Sequence, residues 1–384
     1  MLKRNFTKKR SGGLAGIIAG ETAIATVGIS GAGLNYRGYR IEDLARYSTF
    51  EEVTYLLLNK KLPTKQQYED FCKELWSLRT LPNGLKQILE AIPKEAHPMD
   101  VMRTIASSMG LYEPEKEDNS NQLQCVMRLV AVFGPALLYW YHFSISGIRI
   151  DPQTGPEDSV AVNFVKLLKM SHRVDPMIAK AVDVSLILYA EHGFAASSFG
   201  ARITASTLAD VYSAVTTGIS TLKGKLHGGA NEASMAFLGP IRSIDQADKV
   251  LNNMLKNKKK VMGFGHRVYK KGDPRHKVIK EWSEKLSQRP FGDKILYNVS
   301  DHLEKAMFMK KKMHPNLDFF AASTYHQCGI PTQLFTPVFV ISRTVGWASH
   351  IFEQRDGNRL IRPSSKYVGP DTRDYVQFEN RPKL

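Results

Sequence analysis

Apolar positions recur at three- and four-residue spacing through nearly all of the chain beyond residue 40, which predicts an all-α protein. Between residues 40 and 59 the set Ile41, Leu44, Ala45, Val53, Leu56 and Leu57 is interrupted near Ser48–Thr49, so two consecutive helices are expected, the second capped by one of those hydroxyls. The same periodicity predicts helices over 66–79, 85–91, 99–109, 123–143, 160–168, 177–191 and 204–220, punctuated by Pro, Gly, Asn and Asp. Ahead of them, 22–30 is the best strand, and Tyr36-Arg37-Gly38-Tyr39 can close a small hairpin beside it. Strand and helix do not alternate along the chain, and no GxGxxG follows a strand, which argues against a Rossmann fold. The most apolar stretch, 123–143, is interrupted by Arg128 and Pro135 and lacks a positive anchoring cluster, so it reads as a buried helix rather than a membrane span.

A chain of 384 residues exceeds what one core usually serves, so a large domain with a smaller one, or two lobes around a cleft, is expected. Three widely spaced cysteines, Cys72, Cys125 and Cys328, cannot all pair and form no ligand array, which points to a reducing cytoplasm and no structural metal. The net charge of +16 raises nucleic-acid binding, yet the basic residues are dispersed apart from runs at 8–10, 258–260 and 310–312, without interleaved aromatics or zinc ligands. A multiply anionic cosubstrate and a dicarboxylate explain the same bias. Lys3, Arg4, Lys8, Lys9 and Arg10 precede the first acid, Glu21, without the serine-rich amphipathic length of a transit peptide, and read as a basic tail.

Candidate chemistry gathers in short segments. His227 precedes two glycines and a helix expected near Ala230, where positive potential keeps an imidazole neutral and able to donate; a capping turn is the plainer explanation. His266 follows Gly263-Phe264-Gly265 and precedes Arg267 and the run Asp273-Pro274-Arg275-His276, a loop that either cradles an anion or is simply solvated. Asp318, after Pro315 and Asn316, falls in the first turn of a partly buried helix, as a base or as a cap. His192 lies beside Gly193 at a helix end. Arg343 sits in an apolar helical pattern beginning at Pro337 and must meet an anion, from an internal acid or a ligand carboxylate. Arg362 follows in an extended segment.

Taken together, LHGGANE (226–232), GFGHRVYKKGDPRH (263–276), PNLDFFAAS (315–323), FVISRTVGWASHIFEQR (339–355) and RLIRPS (359–364) resemble the citrate synthase family in order and spacing, with the likeness running from about Gly16 to Pro370. HPMDVMRT (97–104), LLYWYH (137–142) and YAEHGFAASSF (189–199) are similar to its 2-methylcitrate synthase branch. The resemblance implies a helical homodimer, with 1–228 and 335–384 as a large domain and 229–334 as a mobile small one. It implies that Asp318 is the base, that His227 holds the thioester oxygen, and that His266 holds the oxaloacetate carbonyl. His192, Arg275 and Arg343 would bind oxaloacetate, with Arg362 from the neighbouring subunit and Arg79 of LRTLP as a further contact. Lys258, Lys259, Lys260, Val261, Met262 and Arg267 would meet CoA. The implied reaction joins propionyl-CoA to oxaloacetate, giving 2-methylcitrate, with acetyl-CoA also accepted and no permanently bound cofactor. The alternatives are a citrate synthase using acetyl-CoA and, from another class, a nucleic-acid-binding protein on an inactive synthase fold.

Overall fold

The turn at Arg37–Gly38 places both residues in left-handed backbone, φ 49° and 91°, the geometry of a two-residue hairpin. It joins β1 (Asn35–Tyr36) to β2 (Tyr39–Arg40), antiparallel with Tyr36 opposite Tyr39. The computed structural model describes residues 13–14, 16–27, 33–269 and 271–381. Of the strand expected over 22–30, Ala25 forms a single bridge to Tyr36, and residues 28–30 lie outside the described residues, as does the basic start of the chain. The buried Tyr36 hydroxyl donates toward Ile187 O (3.1 Å) and Glu191 O (3.0 Å), so the hairpin secures the end of helix α8 (Pro176–Tyr189).

The two helices expected between 40 and 59 are α1 (Ile41–Tyr47) and α2 (Phe50–Asn59), and the Thr49 hydroxyl caps the second by accepting from Glu52 N. A reciprocal capping box between Thr64 and Gln67 opens α3 (Lys65–Ser77). Next come α4 (Asn83–Ala91), α5 (Pro98–Tyr112) and α6 (Gln122–Ser146). Among the described residues α6 is the one helix long and apolar enough to cross a membrane, and 89% of its most apolar window is buried within the protein. Its Arg128 is ion-paired with Glu113 at 2.7 Å.

After α7 (Val160–Lys169) and α8, the single helix expected over 204–220 is instead a pair, α9 (Ala196–Ser206) and α10 (Val211–Leu222), packed against each other. The apolar period runs through the break, but Leu208 is left-handed (φ 66°) and Asp210 caps Ser213 N at 2.9 Å. Likewise α8 stops at Tyr189, freeing Ala190–Gly193 as a buried non-helical segment.

The remaining helices are α11 (Ala230–Leu238), α12 (Ile244–Lys256), α13 (Pro274–Ser287), α14 (Lys294–Lys311), α15 (Leu317–Gln327) and α16 (Phe335–Arg355). The fold is all-α apart from the small hairpin. α16 is its axis: every residue from Phe335 to Ile351 is buried, and the helix packs on α2, α5, α6, α8, α9 and α10. Glycine allows the closest approaches. A Cβ on Gly346 would stand 2.3 Å from Ala190 O, and one on Gly218 would stand 2.8 Å from the Trp347 ring.

Candidate active site

The site is assembled around the start of α15. Asn316 caps that helix by accepting from Asp318 N (3.1 Å), while its own amide donates to Gly265 O (2.9 Å). Backbone bonds from Asn316 N to Gly263 O (2.8 Å) and from Gly265 N to His314 O (2.9 Å) stitch the glycine loop to the same point. Gly263 and Gly265 are left-handed, and a Cβ on Gly263 would stand 2.7 Å from Ser234 Oγ, so this close seam admits no side chain there. Asp273 fastens a third strand of the arrangement: it caps α13 through Arg275 N (3.0 Å), grips Arg275 at Nε (2.9 Å) and Nη2 (2.8 Å), and accepts from Leu317 N (3.1 Å).

Because Asn316 performs the capping, the Asp318 carboxylate is released for other contacts. Its Oδ1 accepts from Tyr189 OH at 2.6 Å. Burial pushes the carboxyl up to about 6, against the opposing pull of that hydrogen bond and of Arg275.

The histidines present defined faces. Ser197 N–H, in the first turn of α9, points at His227 Nε2 (3.2 Å), with Ser197 Oγ 2.8 Å away. A backbone N–H only donates, so the neutral ring carries its proton on Nδ1. Burial and the positive charge of Arg343 push His227 down to about 4, which keeps the ring neutral. His266 Nδ1 accepts from Val268 N (3.0 Å) and Tyr269 N (3.2 Å), placing the proton of the neutral ring on Nε2. His192 stands edge-on to His266 with centroids 5.1 Å apart, and burial, with Arg275 nearby, holds it well below the usual histidine range. Its Nε2 and the hydroxyl of the adjacent Tyr269 are buried without a hydrogen-bond partner.

Arg343 is buried in α16, its Nε donating to Tyr189 O (2.7 Å) and its guanidinium 4.8 Å from the Phe339 ring centroid. Among the described residues no carboxylate lies within ion-pair distance of it. The strongest anionic influence on it is Glu191, whose Oε1 is taken by His350 Nε2 (2.9 Å) and Gly193 N. Burial lowers Arg343 to about 10, so the cation persists at neutral pH. Arg275, by contrast, is committed to Asp273 through two of its nitrogens.

The sequence-derived candidates divide accordingly. His192, His227, His266, Arg275, Asp318 and Arg343 share one network of contacts and fields. Lys258, Lys259 and Lys260 are exposed where α12 ends and lead through buried Val261 and half-buried Met262 into the glycine loop, with Arg267 exposed just past His266. Arg79 is not brought there: it is buried beside α7, its Nη2 donating to Asp158 O (2.6 Å) and its field dominated by Glu51. Arg362 is exposed on the extended tail after α16. Sequence reading passed over Tyr189, Ser197, Asp273 and Asn316 as contacts. Asn316 and Asp273 carried a signal, each standing at a helix start, whereas Tyr189 in an apolar helix is indistinguishable from core.

This arrangement offers a base of raised pKa, two imidazole donors and a buried unpaired cation: proton transfer beside a carbonyl with an oxyanion to stabilise. The family model described as citrate synthase, C-terminal domain, matches residues 13–364. A 2-methylcitrate synthase from Shewanella oneidensis is 51% identical, the alignment covering 97% of this chain and 99% of that protein. Citrate synthase 2 of Bacillus subtilis is 39% identical, covering 96% and 98% respectively. The solved structure of Thermoplasma acidophilum citrate synthase in a ternary complex with carboxymethyl coenzyme A and oxaloacetate has a TM-score of 0.89 at 30% identity, covering 98% of this chain and 100% of that one.

Proposed function

The chain belongs to the citrate synthase family, and on that premise we propose that it condenses propionyl-CoA with oxaloacetate and water to give 2-methylcitrate and CoA, taking acetyl-CoA as well. The coarser activity, a transferase joining an acyl-CoA to oxaloacetate, follows from the family. The observation that carries the chemistry is the convergence of Asp318, its carboxyl pushed up to about 6, with two imidazoles whose backbone contacts leave His227 Nδ1 and His266 Nε2 as the donating faces.

In this reading Asp318 removes the α-proton of the thioester while His227 Nδ1–H donates to the thioester oxygen. A carboxylate is far too weak a base for that proton unless the developing oxyanion is stabilised in place. The α-carbon then attacks the ketone carbon of oxaloacetate, and the ketone oxygen takes a proton from His266 Nε2. Water finally cleaves the thioester, releasing CoA and the third carboxylate. Arg343 receives a substrate carboxylate, assisted by Arg275 and His192, and Arg362 reaches in from a second subunit. Arg79 is left out, because its hydrogen bond goes to Asp158 O and the strongest charge acting on it is that of Glu51. Lys258, Lys259, Lys260, Val261, Met262 and Arg267 form the CoA side.

Residues 229–334 act as a lid on 1–228 and 335–384. Support comes from the division of the site itself: the glycine loop, Asp273 and Asp318 belong to the first segment, and Tyr189, His192, His227 and Arg343 to the second. A cytoplasmic homodimer fits the three free cysteines and a tail that exposes Tyr367, Val368, Tyr375 and Phe378. The 51% identity to a 2-methylcitrate synthase favours the propionyl branch.

The test is kcat/KM for propionyl-CoA against acetyl-CoA at saturating oxaloacetate. Propionyl preference is expected, tempered by the roughly 1–3 kcal/mol that one methylene provides. A clear acetyl preference overturns the branch and leaves a citrate synthase.

A further inference from the structure

Tyr189 closes the last turn of α8, and its hydroxyl lies 2.6 Å from Asp318 Oδ1, the distance of a hydrogen bond to an ionised oxygen. The ring cannot swing away. It is buried, tilted on Phe339 with centroids 4.3 Å apart, and stacked near Tyr325 at 6.4 Å. Burial and the charge of Asp318 hold the phenol protonated, so it donates throughout the working pH range.

The other charged groups facing Asp318 are occupied elsewhere. Arg275 is bound to Asp273, and Arg343 donates its Nε to Tyr189 O. From the remaining helices packed on α15, Glu232 of α11 accepts from Thr336, and Asp301 and Glu304 of α14 bind Lys280 of α13. His227 and His266 are turned by their own backbone contacts.

Resting on the reading of Asp318 as the base, we propose that Tyr189 is its positioning residue: the hydroxyl occupies Oδ1, leaves Oδ2 to take the α-proton, and keeps the carboxylate ionised in a site whose burial favours the neutral acid. Tyr189 transfers no proton itself. The proton passes from the α-carbon to Oδ2, and the phenolic O–H bond stays intact.

The test is the pH profile of kcat/KM for acyl-CoA, whose acidic limb reports the base of the free enzyme. Wild type is compared with Tyr189→Phe and with a protein carrying 3-fluorotyrosine at position 189, a stronger donor of the same shape. Loss of a hydrogen bond to a charged group is expected to move the limb up by roughly one pH unit in Tyr189→Phe, about a tenfold loss on the acid side with a smaller change on the plateau. The fluorinated protein is expected to move it down. A uniform loss at every pH with an unmoved limb overturns the proposal and leaves Tyr189 as packing. If Tyr189→Phe does not fold, the fluorotyrosine protein decides alone, and an unmoved limb again overturns it. Asp318→Asn separates the levels: near-normal condensation removes the base assignment itself, whereas an inactive Asp318→Asn beside an unmoved limb removes only the role of Tyr189.

Discussion

Burial shifts the proton affinities of Asp318 and His227 in opposite directions, and both shifts should register in stability. A carboxyl pushed from 3.8 up to about 6 binds its proton more tightly when folded, so stability is lost as the pH rises through that window and stays lower above it. An imidazole pushed from 6.5 down to about 4 behaves oppositely: stability is gained as the pH rises between those values. The two slopes oppose each other in the wild type. Asp318→Asn is therefore expected to be more stable than wild type at pH 7 by about 2–3 kcal/mol, with the advantage gone near pH 4 and an upward slope from His227 exposed between. Urea unfolding across that range checks it. At this scale the histidines and Asp318 were legible as ionisable groups beside glycines and helix starts. What was not legible is who caps whom: Asn316 and Asp273 relieve Asp318 of backbone duty, a division visible only once the two segments meet.

At the scale of elements, periodicity located most helices and misjudged their ends. Apolar spacing continues through Leu208 and through Ala190, and only a left-handed residue in one case and the buried turn before Gly193 in the other breaks the helix. The second break matters for the site, because it turns Glu191 and His192 inward past the end of α8. Gly346 on α16 is what lets that segment lie close. Gly346→Ala, with its new methyl 2.3 Å from Ala190 O, is expected to cost about 1–3 kcal/mol and to weaken oxaloacetate binding by shifting His192 from Arg343. Chemical denaturation and calorimetric titration with oxaloacetate measure the two effects, and unchanged binding would separate the helix contact from the receptor.

For the whole molecule, the all-α class followed from pattern alone, and the excess of +16 is answered in part by buried or anion-facing cations such as Arg275 and Arg343. Arg79 shows the limit of that reasoning: a buried arginine beside a helix end fits a substrate contact by type, but packing assigned it to Asp158. The extended tail is anchored to the body at Ile361, whose N–H donates to Ser206 Oγ (3.0 Å), and exposes aromatic residues beyond it. If the proposed homodimer forms, removing residues 365–384 is expected to leave the helix content intact and to weaken self-association, read by sedimentation velocity and circular dichroism; unchanged self-association would rule the tail out as its fastening. The central place of α16 has a different consequence. Because the helix that carries Arg343, the proposed receptor of the substrate carboxylate, is also the axis of the core, changes to that receptor are expected to disturb folding as well. On the proposed reading, selection for a new dicarboxylate is thereby discouraged, while the acyl side, assigned to the glycine loop and helix ends rather than to the core axis, stays open to change, so a lineage built on this plan is expected to diversify in the acyl group it accepts and to keep the same keto acid.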